Sequence, residues 1–134
     1  MVNMPVDLVA PDLQVSLRLD AFAPRAARYH VAQVDRPSPD LRDAIVLLTS
    51  ELVSRAAQHS QFARGEAVEL LAWMPPDVIR VELHAPLELL DPPRHDDWTQ
   101  YDLLLLDQVA DRWAIDANDS SACMWFEIDR EAHA

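Results

Sequence analysis

The sequence predicts an α+β domain, and three observations carry that prediction. Segments that alternate apolar and polar residues with period two recur along the chain, beginning with residues 13–19. One long segment, about residues 40–59, repeats apolar residues at three-four spacing instead. Taken in order, the segments read β-α-α-β-β-loop-α-β-β, runs of strands and runs of helices of the kind that build α+β folds.

Residues 1–12 are broken by proline and are expected to form an N-terminal arm, with a single domain spanning 13–134. The first strand is Leu13-Gln14-Val15-Ser16-Leu17-Arg18-Leu19. Asp20 is placed to cap a helix running to about Val34, with Ala23, Ala27, His30 or Val31, and Val34 along one side. Arg36-Pro37-Ser38-Pro39 breaks it, because proline disfavours helix at the residue before it. The long second helix carries Leu41, Ala44, Ile45, Leu48, Leu52 and Ala56 as its core-facing stripe. Gly65 turns the chain into strands at 67–74 and 78–84, and Pro75-Pro76-Asp77 joins these as a hairpin. A Pro- and Asp-containing connection follows, from Pro86 to Thr99. The next helix is expected over 103–113 with Asp102 as its cap, and strands at 114–117 and 122–128 flank a turn at Asn118-Asp119-Ser120-Ser121.

Composition bounds the function. With 50% hydrophobic residues in 134, the chain is globular and long enough to bury one good core. No run approaches the roughly 18 apolar residues of a membrane span, and the N-terminus lacks the basic start and apolar centre of a signal peptide. A lone cysteine, Cys123, allows no intramolecular disulfide, which fits a reducing cytoplasm. The formal net charge of -12 repels phosphate backbones and argues against nucleic-acid binding. All 11 basic residues are arginine. The single glycine, Gly65, excludes a P-loop or a G-x-G-x-x-G turn, since both need several.

Three phrases carry a resemblance. They are Ser50-Glu51-Leu52-Val53-Ser54-Arg55-Ala56-Ala57-Gln58-His59, Val109-Ala110-Asp111-Arg112-Trp113 and Met124-Trp125-Phe126-Glu127-Ile128. In this order and spacing they resemble the anti-sigma-factor serine kinases, a branch of the GHKL ATPases with the histidine-kinase-like (Bergerat) fold. The resemblance covers about Ala23 to Ile128. It implies a two-layer α/β sandwich, with helices on one face of a mixed, mostly antiparallel sheet.

It also implies where an ATP site would lie, and there the chain departs from the family. The family's S-E-L-V-x-N-A helix pairs Glu with an Asn that helps hold Mg²⁺; here Glu51 is kept and Arg55 replaces the Asn. A guanidinium has only donors and cannot ligate a metal ion. Ala85 stands where an Asp would accept the adenine amino group. The glycine-rich lid phrase becomes Gln100-Tyr101-Asp102-Leu103-Leu104-Leu105-Leu106-Asp107, with no glycine and a carboxylate at Asp102. These losses weaken nucleotide binding by roughly 1–3 kcal/mol each. Glu51, Arg55, Ala85, Gln100 and Asp102 are therefore read as a vestigial pocket. Glu51 and Arg55, at i and i+4, are expected to form an ion pair rather than a catalytic base and metal ligand.

The function this implies is a non-catalytic, regulatory protein-binding module, a pseudokinase with no cofactor. The alternative is an ATP- and Mg-dependent serine/threonine kinase with an altered pocket, and a third reading is a small-molecule binder reusing the cavity. The family's partners are sigma factors or anti-anti-sigma-like proteins, and its members often dimerise, so a homodimer is within the expectation. No metal site is expected, because the spacing of His84, His95, Asp96 and Asp97 matches no compact ligand motif. Cys123 is expected to be an inert thiol in a core-like strand with no basic neighbour, and His59 to cap helix carbonyls. Trp98, in the acidic connection, is the one surface-anchor candidate among the four tryptophans.

Overall fold

A computed structural model describes residues 10–33, 39–58, 67–86, 100–117 and 120–130. Strand β1 is Leu13–Arg18, helix α1 is Ala23–Ala32 and helix α2 is Pro39–Gln58. Strands β2 (Ala67–Trp73) and β3 (Val78–Pro86) follow, then helix α3 (Gln100–Val109), β4 (Arg112–Ala117) and β5 (Ser121–Asp129). The expected order of elements is thus observed. The expectations for Gly65, His59, Trp98, His95, Asp96 and Asp97 lie outside the described residues.

The sheet has five strands in the order β1-β2-β3-β5-β4. Every pairing among the described strands is antiparallel, which corrects the expectation of a mixed sheet. Two of the four pairings have a local reason: β2 joins β3, and β4 joins β5, through connections short enough only for hairpins. Asp12, expected in a loose arm, is fastened to β2. Its N–H donates to the Ala72 carbonyl and its carboxylate accepts the Met74 N–H.

Period-two alternation sorts each strand onto two faces. Leu17, Val68, Leu70, Ala72, Ile79, Val81, Leu83, Ala122, Met124, Phe126 and Ile128 all point into one core. Ala23, Ala27 and Val31 of α1 and Leu41, Ile45, Leu48, Leu52, Val53 and Ala56 of α2 close it from above. Arg28 of α1 donates to the Ser50 hydroxyl of α2 at 3.0 Å, tying the two helices together.

Three boundaries differ from expectation. Asp20 is not the cap of α1: its carboxylate accepts the Phe22 N–H two residues on, an Asx turn, and Phe22 occupies the cap position without a side-chain bond. Helix α3 starts at Gln100 and stops at Val109, so Arg112 and Trp113 belong to β4. The ladder wins because the Asp111 N–H bonds the Glu127 carbonyl and the Asp111 carboxylate accepts the Asp129 N–H.

Candidate functional site

The five residues expected to mark a vestigial pocket are distributed over α2, β3 and the first turn of α3. Glu51 is half-buried and Arg55 is 3% exposed, and both take part in polar interactions. Arg55 is buried because it shares an arc of α2 with Leu48, Leu52 and Ala56, the stripe that packs on the sheet. It is a core cation, a depth that the i, i+4 spacing with Glu51 did not indicate. Ala85, on β3 beneath the helix layer, is 6% exposed and part of the same apolar cluster. Helix α2 packs against both β3 and α3, so the elements that carry Glu51, Arg55, Ala85, Gln100 and Asp102 are neighbours. Gln100 and Asp102 sit on the first turn of α3.

A second constellation lies on the opposite face of the sheet. The strand registers line up three cross-sheet rows: Glu69-His84-Cys123-Asp116, Leu71-Glu82-Trp125-Ala114 and Trp73-Arg80-Glu127-Arg112. The Arg80 guanidinium lies 4.2 Å over the Trp125 ring, an arrangement in which cation and π face attract. Its Nε donates to Glu82 at 2.6 Å and another of its nitrogens to Glu127 at 2.8 Å. Glu127 also takes a 2.8 Å bond from Arg112, which in turn grips Asp129. The Trp125 indole N–H donates to Asp116, and that of Trp113 to Asp107.

These contacts set the protonation states. Burial works to lower the Arg80 pKa, but hydrogen bonds and charge from Glu82 and Glu127 win and leave it raised. Burial likewise works to raise that of Glu82, and hydrogen bonds from His84 and Arg80 leave it below the ordinary value. The hydrogen bond with Glu82 raises the His84 pKa against the effect of burial. Hydrogen bonds with Asp129 and Glu127 raise that of Arg112. Burial, helped by the charge of Glu82, pushes the Cys123 thiol up to about 12.

Cys123 therefore departs from its expected setting. It lies on the outer face rather than in the core, because Ala122, Met124 and Phe126 take the inward positions of β5. Its Sγ is 3.6 Å from His84 Nε2, and that same nitrogen is 2.7 Å from Glu82 Oε1. Among the described residues, Glu82, His84 and Cys123 bring their ligand atoms within 4.8 Å of one another. The sequence groups His84 with His95, Asp96 and Asp97, whereas in the fold its polar neighbours are Glu82, two residues away on β3, and Cys123, its register partner on β5. The readable signal was Arg80-x-Glu82-x-His84, three polar residues at period two inside an otherwise apolar strand.

The trio is not a nucleophile relay. A relay needs one ring nitrogen toward the thiol and the other toward the carboxylate, and here Nε2 faces both. A thiol held near 12 is also a poor nucleophile at neutral pH. Compared with protein-family models and with curated proteins, the chain matches none of either.

Proposed function

We propose that this chain is a non-catalytic regulatory module of the anti-sigma-kinase type, which binds a protein partner and no longer binds ATP. One observation carries the reading. Arg55, at the position where the resembled family has its metal-ligating Asn, is 3% exposed within the helix–sheet core. A buried cation without lone pairs there opposes Mg²⁺ both by charge and by chemistry. Ala85, 6% exposed, packs into the core and offers no acceptor to an adenine.

The partner is a protein with a basic, partly apolar surface. A net charge of -12 steers such a partner. Phe22 (67%), Tyr29 (64%) and Leu47 (44%) are the exposed large apolar side chains among the described residues, and all belong to the helix layer or its entry. Within the resembled family the partner of this kind would be a sigma factor or an anti-anti-sigma-like protein.

Calorimetry and thermal unfolding with Mg-ATP test the nucleotide half. At millimolar ATP the expected result is no heat of binding and no shift in Tm. A working site would stabilise the fold by roughly 2.7 kcal/mol at a hundredfold excess over Kd, and that outcome would return the chain to the kinases. For the protein half, replacing Phe22 and Tyr29 by serine should weaken binding to a purified sigma factor or anti-anti-sigma protein without lowering the Tm.

A further inference from the structure

We propose that Glu82, His84 and Cys123 form a zinc site on the outer face of the sheet, with Glu82 Oε1, His84 Nε2 and Cys123 Sγ as ligands and the fourth position open to solvent. The site is separate from the vestigial pocket and does not rest on the function proposed above.

Geometry is the first argument. In a tetrahedral site with Zn–S near 2.3 Å and Zn–N near 2.0 Å, a sulfur and a nitrogen ligand stand about 3.5 Å apart. The observed Cys123 Sγ to His84 Nε2 distance is 3.6 Å. Glu82 Oε1 and His84 Nε2, at 2.7 Å, need to part by only about 0.6 Å, a small side-chain rotation, to flank the same ion. The backbone makes this convergence durable. Glu82 and His84 are two apart on β3 and so share a face, and Cys123 is the register partner of His84 on β5.

The surroundings fit an ion of this class. Thiolate, imidazole and carboxylate together favour zinc over magnesium or calcium, which prefer oxygen alone. One thiolate and one carboxylate neutralise a dication. Glu82 is held for the role by its second oxygen, which accepts a 2.6 Å bond from Arg80, the outer support that ligating carboxylates use. His84, with 46% of its side chain exposed, leaves a path for entry. That path opens on a shallow depression lined in part by Ser16, Glu69, Pro86 and Ser121. Glu69 and Asp116 flank the trio in its row, where Glu69 accepts from Gln14 and Asp116 from Trp125.

The test uses the whole chain, stripped with chelator and titrated with Co²⁺ and then Zn²⁺. Co²⁺ should bind one per chain and give the thiolate-to-cobalt charge-transfer absorption of a tetrahedral site, which Zn²⁺ bleaches. Cys123→Ser should abolish that absorption, and His84→Gln should weaken binding by about 100-fold. His30→Gln, on α1, should change neither. Because a variant can fail through misfolding, the native chain supplies a second readout: Zn²⁺ should slow alkylation of Cys123 at least tenfold, and EDTA should restore the rate. Absence of thiolate-to-cobalt absorption in the native chain, or alkylation unaffected by Zn²⁺, overturns the site.

Discussion

Arg80 and Glu127 meet at 2.8 Å across β3 and β5, and Glu127 reaches Arg112 of β4 with its other oxygen. One carboxylate thus bonds two guanidinium groups, and with Glu82 and Asp129 the network crosses three strands.

The two arginines should differ in importance. Arg80 has a side chain only 9% exposed, so Arg80→Met takes one partner each from Glu82 and Glu127, which keep His84 and Arg112, and should cost about 1.5–3 kcal/mol. The Arg112 side chain is 48% exposed, and water replaces its contacts, so Arg112→Gln should cost about 1 kcal/mol or less. Urea unfolding of both variants checks the ordering, and equal losses would contradict it.

Thr49 is fully buried, and its hydroxyl has no hydrogen-bond partner among the described residues. Thr49→Val keeps the branched shape and removes the orphan group, so it should stabilise the fold by about 1 kcal/mol. A lower urea midpoint in the variant would show that the hydroxyl is satisfied in solution.

Ala85→Asp restores the acceptor that the resembled family uses for adenine, but at a position 6% exposed in the core. An unpaired carboxylate there should destabilise the fold by about 3 kcal/mol. A variant as stable as the native chain would mean that the pocket is open at this point.

The His84–Glu82 pair makes a pH prediction for the metal-free protein. The raised His84 pKa contributes stability that is full below its ordinary value of 6.5 and fades as pH rises through the folded pKa. The lowered Glu82 pKa contributes stability that is full above 4.5 and fades as pH falls. Glu69 and Glu82 support the imidazolium, Arg80 opposes it, and Cys123 remains a neutral thiol. In EDTA, His84→Gln should therefore lower the Tm more at pH 5.5–6 than at pH 8.5. A penalty that grows with pH would reverse the sign and refute the pairing.

Much of the fold was legible because periodicity is local. Leu48, Leu52 and Ala56 announce a helix face, and Met124, Phe126 and Ile128 a strand face, without reference to anything distant. Helix α3 was extended too far, to Trp113, because the competitors that stop it, Glu127 and Asp129, are supplied by β5. Glu82 and His84 were legible as a period-two pair, but Cys123 was not legible beside them, because His84 and Cys123 lie 39 residues apart and meet only through the β3–β5 register. The depth of Arg55 in the core was not legible, because it depends on how α2 sits on the sheet.

The strand order has a further consequence for how the sheet is completed. β4 is laid down before β5 yet sits two places from β3, leaving a slot that β5 must fill with ladders on both sides. Until Ser121–Asp129 is in place, β3 and β4 each present an open edge to other chains. Synthesis paused before Ser121 should therefore give an aggregation-prone intermediate, protected from its neighbours only by a chaperone.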